Sequence, residues 1–64
     1  MVELDVVLLK KDYEDVPAGT VGTVMLVLDE YTVEVEFSDA WGEPLTEGMT
    51  ISVPKDILTL LGAP

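Results

Sequence analysis

Carboxylates dominate the side chains that could do chemistry, and two groups of them stand beside an aromatic residue. One group surrounds Tyr13 and the other lies just before Trp41. Carboxylates can hold divalent cations, move protons or attract basic groups. An aromatic ring beside them adds a contact surface, because tryptophan and tyrosine often dominate the binding energy of protein interfaces. The carboxylates in question are Asp12, Glu14, Asp15 and Asp39.

Catalysis is poorly supported among these uses. The chain has no histidine and no cysteine, so a serine or threonine nucleophile lacks its usual base. We expect the lysines, at positions 10, 11 and 55, to be exposed, and no carboxylate to lie in apolar surroundings that would raise its pKa. The stretch 18–23 is rich in threonine and glycine but lacks the lysine of a phosphate-binding loop. The sequence predicts a protein that is not an enzyme and holds no cofactor.

A metal site is the second possible use of the acidic groups. Asp12, Glu14 and Asp15 crowd one loop, and Asp39 with Glu43 crowds another. Calcium or magnesium binds such oxygen ligands, but the spacing is not that of an EF-hand and no glycine supports the sharp turn. We interpret both as solvated acidic loops and predict no metal site, with a loosely held divalent cation as the open alternative.

The charge balance favours the third use, the attraction of a basic partner. Thirteen acids and three lysines in 64 residues give a net charge of −10, and arginine is absent. Such a chain repels nucleic-acid backbones and attracts basic proteins. The alternative is that the acidity only keeps a small protein soluble. No basic, apolar leader and no apolar run of roughly 20 residues is present, which predicts a single cytoplasmic domain over residues 1–64 with no membrane contact.

A central hairpin over residues 18–37 organises the elements that must position these loops. Its second arm alternates Tyr31, Val33, Val35 and Phe37 with polar residues, which predicts a strand with one buried face. The first arm is apolar at every position from Val24 to Leu28, so we expect both of its faces to be partly covered.

Shorter strands flank the hairpin. Val2, Leu4, Val6 and Leu8 share one parity, which predicts a first strand over about residues 3–9. The alternation of residues 49–53 predicts a fourth strand, and Pro54 suits the start of one helical turn. Residues 58–61 are long enough for a closing strand. The fold class predicted is all-β: a small five-stranded SH3-like barrel with a single helical turn before the last strand.

Three segments carry a resemblance to a known family. They are residues 16–24 (VPAGTVGTV), residues 31–37 and residues 53–58 (VPKDIL), with an opening LDVV strand at residues 4–7. Together they resemble a family of short bacterial and archaeal proteins classed as a domain of unknown function, DUF4926-like. The resemblance implies an SH3-like barrel and brings no activity, cofactor or catalytic residue. Because one fold serves many functions, the resemblance alone does not predict what the protein does.

In an SH3-like layout the first long loop and the loop after the third strand lie side by side. We therefore predict a non-catalytic acidic module that binds a basic protein, as a small subunit, an inhibitor or an antitoxin-like partner. One alternative is a structural domain that self-associates through the Val24–Leu28 strip; a less favoured one is a barrel that binds nucleic acid. The predicted partner-binding residues are Asp12, Tyr13, Glu14, Asp15, Asp39, Trp41 and Pro54.

Overall fold

The computed structural model of the chain describes residues 1–39, 43, 45 and 49–62. Five strands and one short helical turn follow one another along these residues. The prediction of five short strands, with a helical turn before the last, is confirmed. The elements are β1 (Val6–Leu9), β2 (Val21–Val27), β3 (Thr32–Ser38), β4 (Ile51–Pro54), a 3-10 turn (Lys55–Ile57) and β5 (Leu58–Gly62).

All five strands belong to one antiparallel sheet with the order β4-β3-β2-β1-β5. The strands β4 and β5 therefore form its two edges. Across the part of the chain that the structure describes, these two edges do not pair with each other, so closure into an SH3-like barrel is not confirmed. The same residues contain no helix of the length and apolarity that a bilayer crossing needs.

The predicted alternation of the hairpin's second arm sets the buried face of the sheet. Val33, Val35 and Phe37 of β3 are fully buried, while the polar residues between them remain half-exposed. The inner faces of the other strands and one loop residue complete a single core. Its members are Val7, Leu9, Val16, Val24, Val33, Val35, Phe37, Val53 and Leu58.

The first strand is shorter than predicted and buries the opposite set of side chains. Val7 and Leu9 are fully buried, whereas Val6 and Leu8 are half-buried. A strand that is apolar at every position has no alternation from which its inner face can be told. The face is set by the neighbours in the sheet, since Val7 lies opposite Gly22 of β2, on the side where the core forms.

Tyr31, predicted as an inner residue of the hairpin, is 72% exposed. The strand β3 begins one residue later, at Thr32. Tyr31 instead belongs to the turn before it, where its backbone N–H donates to Asp29 Oδ1 at 2.8 Å. Aspartate commonly forms such a bond with the backbone two residues on. This local bond holds Tyr31 in the turn, although the alternating pattern predicted that it belongs to the strand.

Gly22 lets β2 lie close to the side chains of β3. A Cβ atom at this position would stand 2.5 Å from Val35 Cγ1 and 2.9 Å from Phe37 Cδ1. Both contacts are shorter than real Cβ atoms tolerate. The glycine is therefore required by the packing of the core, as its place in the hairpin suggests.

Three backbone irregularities occur in the sheet, in β2, in β5 and just before β1. The β2–β3 register shifts between Val24 and Leu26, so Met25 is an extra residue in its strand. The β1–β5 register also shifts, because Val6 faces Gly62 and Val7 faces Leu60, which leaves Leu61 as the extra residue. Leu4 has a φ of 74°, and its N–H donates to the Val24 carbonyl at 2.7 Å.

Candidate functional site

The acidic loop, defined here as residues 12–15, contains a tight turn closed by its own backbone. The Tyr13 N–H donates to the Val16 carbonyl at 2.9 Å, and the Val16 N–H donates back to the Tyr13 carbonyl at 2.9 Å. Glu14 has a φ of 52°, a left-handed conformation that short hairpin turns often require. Glu14 and Asp15 at its tip are both exposed, so the turn presents two adjacent carboxylates to solvent.

Asp12 and Asp39 use their carboxylates to close loops. Asp12 Oδ1 accepts a hydrogen bond from the Ala18 N–H at 2.8 Å, across the base of the acidic loop. Asp39 Oδ1 accepts one from the Glu43 N–H at 3.0 Å in the loop after β3. Short aspartate side chains commonly stabilise turns in this way. Both residues thus add negative charge to the surface while their geometry is fixed by the loops they close.

The first long loop and the loop after β3 line a common cleft, which we call the Leu45 cleft. It has a volume of about 560 Å³. Leu45 is 49% exposed, and its N–H donates to the Phe37 carbonyl at 2.9 Å, which fixes it beside the end of β3. The cleft combines apolar side chains with two carboxylates. Its lining residues are Glu14, Asp15, Val16, Pro17, Leu45 and Ile51.

The other predicted partner-binding residues are not all at the Leu45 cleft. Tyr13 is half-buried and packs against the core, so part of its ring is used for stability. Pro54 lines a different cavity of about 350 Å³ together with Glu30, Tyr31, Lys55 and Asp56. Trp41, also predicted to bind the partner, lies outside the residues that the structure describes.

Tyr31 is the exposed aromatic residue that the sequence interpretation missed. The signal was available in the Asp29-Glu30 turn, since an aspartate two residues earlier favours a turn at Tyr31 over a strand. The Tyr31 carbonyl also accepts a hydrogen bond from the Lys55 N–H at 2.8 Å. This bond fixes the β2–β3 turn beside the 3-10 turn and makes Tyr31 and Pro54 neighbours.

Glu34 on the outer face of the sheet is held by two hydroxyl groups of the β4 segment. Ser52 Oγ donates to Glu34 Oε1 at 2.5 Å, and Thr50 Oγ1 donates to Glu34 Oε2 at 2.6 Å. Hydrogen bonds to a carboxylate favour its ionised form. The Ser52 bond, followed by the Thr50 bond, therefore holds the pKa of Glu34 below its usual value of 4.5. Both oxygens of this carboxylate link β3 to the β4 edge.

Asp5 is the buried acidic residue among those that the structure describes, and its burial was not predicted from the sequence. It is only 4% exposed, and its Oδ2 accepts a hydrogen bond from the Val2 N–H at 2.8 Å. The Asp5 N–H in turn donates to the Val2 carbonyl at 3.2 Å, which closes a turn over residues 2–5. Asp5 shares the parity of the buried Val7 and Leu9, whereas the sequence pattern predicted the inner face of the first strand on the opposite parity. The role we assign to Asp5 is structural, because its carboxylate satisfies the backbone of that turn.

Carboxylates are numerous on this chain, but those that the structure describes do not gather into a chelating group. Among the residues whose placement is described, no three acidic side chains come close enough together to hold a metal ion. The two acidic loops are instead arranged so that Asp12 and Asp39 bind backbone amides. The arrangement is suited to long-range attraction of positive charge and to contacts along the Leu45 cleft.

A family model matches most of the chain, from before β1 into β4. It is described as a domain of unknown function (DUF4926) and matches residues 3–53. The chain belongs to the DUF4926 family. The match ends before Pro54, so the 3-10 turn and β5 lie beyond the DUF4926 match in this chain. Neither the curated proteins nor the solved structures gave a match.

Proposed function

We propose that this DUF4926 protein is a non-catalytic, cytoplasmic binding module that docks on a basic protein through the acidic loop and the Leu45 cleft. It acts as a small subunit, an inhibitor or an antitoxin-like partner of that protein. The partner is a protein because the net charge of −10 opposes binding to nucleic-acid phosphates. The observation that carries the proposal is the joining of adjacent carboxylates to an apolar cleft.

The chemistry of the Leu45 cleft fits a lysine or arginine side chain of the partner. Such a side chain has an apolar stem and a cationic end, and it prefers to bury the stem while the charge meets an acid. Leu45 and Ile51 offer apolar surface, and the Glu14 and Asp15 carboxylates lie on the same cleft. The proposal therefore assigns the cleft to specific recognition and the remaining acids to attraction from a distance.

Retention of host proteins on the immobilised chain tests this function. We expect basic proteins to be retained at low salt and released at raised salt, because salt screens the attraction between exposed charges. Neutralising the loop tip, with Glu14→Gln and Asp15→Asn together, should abolish or strongly reduce the retention. The retained protein is then titrated against each variant to obtain a dissociation constant.

A matched control distinguishes the effect of the acidic loop on binding from the effect of the net charge. Glu30→Gln with Asp56→Asn removes the same two charges from exposed positions beside the Pro54 cavity. We expect this control to bind about as well as the original chain. If both double variants bind equally weakly, the Leu45 cleft is not the binding site. If no host protein is retained at low salt, the acidity serves solubility and the proposal fails.

A further inference from the structure

The three irregularities, in β2, in β5 and just before β1, all bring large apolar side chains to the surface. Leu4, at its left-handed backbone position, is 53% exposed. Met25 and Leu61, the extra residues of the two bulges, are 40% and 54% exposed. Bulges redirect side chains, and strained backbone persists where the surroundings maintain it. Each irregularity therefore leaves an apolar side chain exposed to solvent.

The strand β5, which contains the Leu61 bulge, lies at one end of the sheet and has an open edge. In the described part of the chain β5 pairs with β1 alone, so its other side carries backbone groups with no strand beside them. Leu60, which faces Val7 across the ladder, is 52% exposed. Proteins usually protect such an edge with charged residues, especially lysine, or with proline. The sequence of β5, Leu-Thr-Leu-Leu-Gly, contains neither.

We propose that two copies of this chain pair through β5, antiparallel and about a two-fold axis at Leu60. Leu60 is the central residue of Leu58–Gly62, so this axis places Leu60 of each copy opposite Leu60 of the other. The two five-stranded sheets then form one continuous sheet, and the exposed Leu61 lies in the paired strand of each copy. This inference is independent of the basic partner proposed above.

The chemistry of the edge selects a second copy over another kind of partner. An open strand edge takes another strand, and an uncharged leucine-rich edge takes one that is equally apolar. The β5 strand of a second copy meets both requirements, and a two-fold pairing makes the contact self-limiting. A basic partner is drawn elsewhere, because β5 carries no carboxylate to attract it.

Sedimentation velocity at micromolar concentrations tests the pairing with a matched pair of leucine substitutions. We expect the original chain to sediment as a dimer and Leu60→Lys to sediment as a monomer, since a lysine on the edge blocks strand pairing. Leu28→Lys makes the same chemical change at a residue of similar exposure, 47%, in the β2–β3 turn. This control should remain a dimer, with an unchanged circular-dichroism spectrum.

Cross-linking gives a second test that does not depend on tolerance of a buried charge. The chain has no cysteine, so a single introduced thiol can only link two copies. Antiparallel neighbours have Cα atoms about 4.5–5.5 Å apart, within the range that a disulfide spans. Leu60→Cys should therefore form a disulfide-linked dimer under mild oxidation, and Ser52→Cys on the β4 edge should not.

Three results would overturn the pairing. The first is an original chain that stays monomeric at micromolar concentration. The second is a dimer that survives Leu60→Lys but is lost in Leu28→Lys, because it places the interface at the β2–β3 turn. The third is a disulfide that forms as readily from Ser52→Cys as from Leu60→Cys.

Discussion

The two edges of the sheet differ in how they are protected against further strand pairing. The β4 edge ends at Pro54, which has no N–H to offer, and its Ser52 hydroxyl is bonded to Glu34 of the neighbouring strand. The β5 edge has five residues without charge or proline, and two of its leucines are more than half-exposed. The β4 edge thus contains a proline and a bonded hydroxyl, whereas the β5 edge offers only uncharged and mostly apolar side chains.

The two edges of the sheet also differ in the surface near them, which is acidic near β4 and apolar at β5. The acidic loop and the loop after β3 flank the Leu45 cleft, which reaches the beginning of β4 at Ile51. Leu61 lies in the edge strand β5 at the other side of the sheet, and Met25 lies in the central strand β2, where it interrupts the register with β3. A strongly acidic protein can self-associate only where its carboxylates are few, and this division of the surface provides such a place.

The largest expected effect is a loss of stability of the whole sheet, caused by a substitution at Gly22. Gly22→Ala forces a Cβ atom against Val35 and Phe37, and overpacking of this kind costs about 3 kcal/mol of unfolding free energy. Urea denaturation should show a strongly lowered midpoint. Gly19→Ala is the comparison variant, because its Cβ meets open space and only the φ of 91° is unfavourable, at a cost of about 1 kcal/mol. Equal losses in both variants would contradict close packing at Gly22.

The next prediction compares the loss of stability when one side chain is shortened to alanine on each edge strand. Val53 of β4 is fully buried, so Val53→Ala should lower the free energy of unfolding by about 2 kcal/mol. Leu60 of β5 is half-exposed in a single copy, so Leu60→Ala should cost less than about 1 kcal/mol. Both are measured by urea denaturation of dilute protein, where pairing between copies does not contribute. A larger loss for Leu60→Ala would mean that β5 is buried even in one copy.

Salt should act in opposite directions on the two surfaces. Two copies at −10 each repel, so raised salt should strengthen their pairing by screening. The same screening should weaken the complex with a basic partner, by about tenfold between low and physiological salt. Sedimentation and titration of the partner, each over a salt series, measure the two trends. Two trends of the same sign would mean that one surface serves both contacts.

The smallest effect concerns the carboxylate that the β4 edge holds. Ser52→Ala removes the main hydrogen bond that lowers the pKa of Glu34, so that pKa should rise toward 4.5. Because the folded value lies below the unfolded one, the stability from this bond is complete above about pH 4.5 and is lost as the pH falls through the folded value. A carbon-13 NMR titration of the Glu34 carboxyl measures the shift.

The matched control for this titration lies on the other edge. Thr59 of β5 is exposed and carries a hydroxyl, and Thr59→Ala should leave the Glu34 titration unchanged. A Glu34 pKa that stays low in Ser52→Ala would show that Thr50 alone holds the carboxylate.

The hairpin was predictable from sequence because its second arm satisfies one strong periodicity. Val33, Val35 and Phe37 alternate with polar residues, and period-2 patterns of this kind settle both the strand and its inner face. The final helical turn was equally predictable, because proline is favoured at the start of a helix and Pro54 directly precedes this turn.

Other features depended on contacts that a linear pattern does not contain. The inner face of β1 is fixed by its neighbours, because the run Val6–Leu9 is apolar at every position. The bulges at Met25 and Leu61 arise from register between strands, which sequence spacing does not reveal. The adjacency of the two long loops was foreseen from the layout, but the cavity that holds Pro54 was not, because Tyr31 was assigned to the strand.

The hydrogen bonds inside the acidic loop should favour the affinity for a partner. The Tyr13–Val16 bonds and the Asp12–Ala18 bond order this loop before any partner arrives. A partner therefore meets a preorganised surface and loses little conformational entropy of the loop on binding. The Tyr13 and Val16 amides should already exchange slowly with deuterium in the free protein, and complex formation should slow them little further.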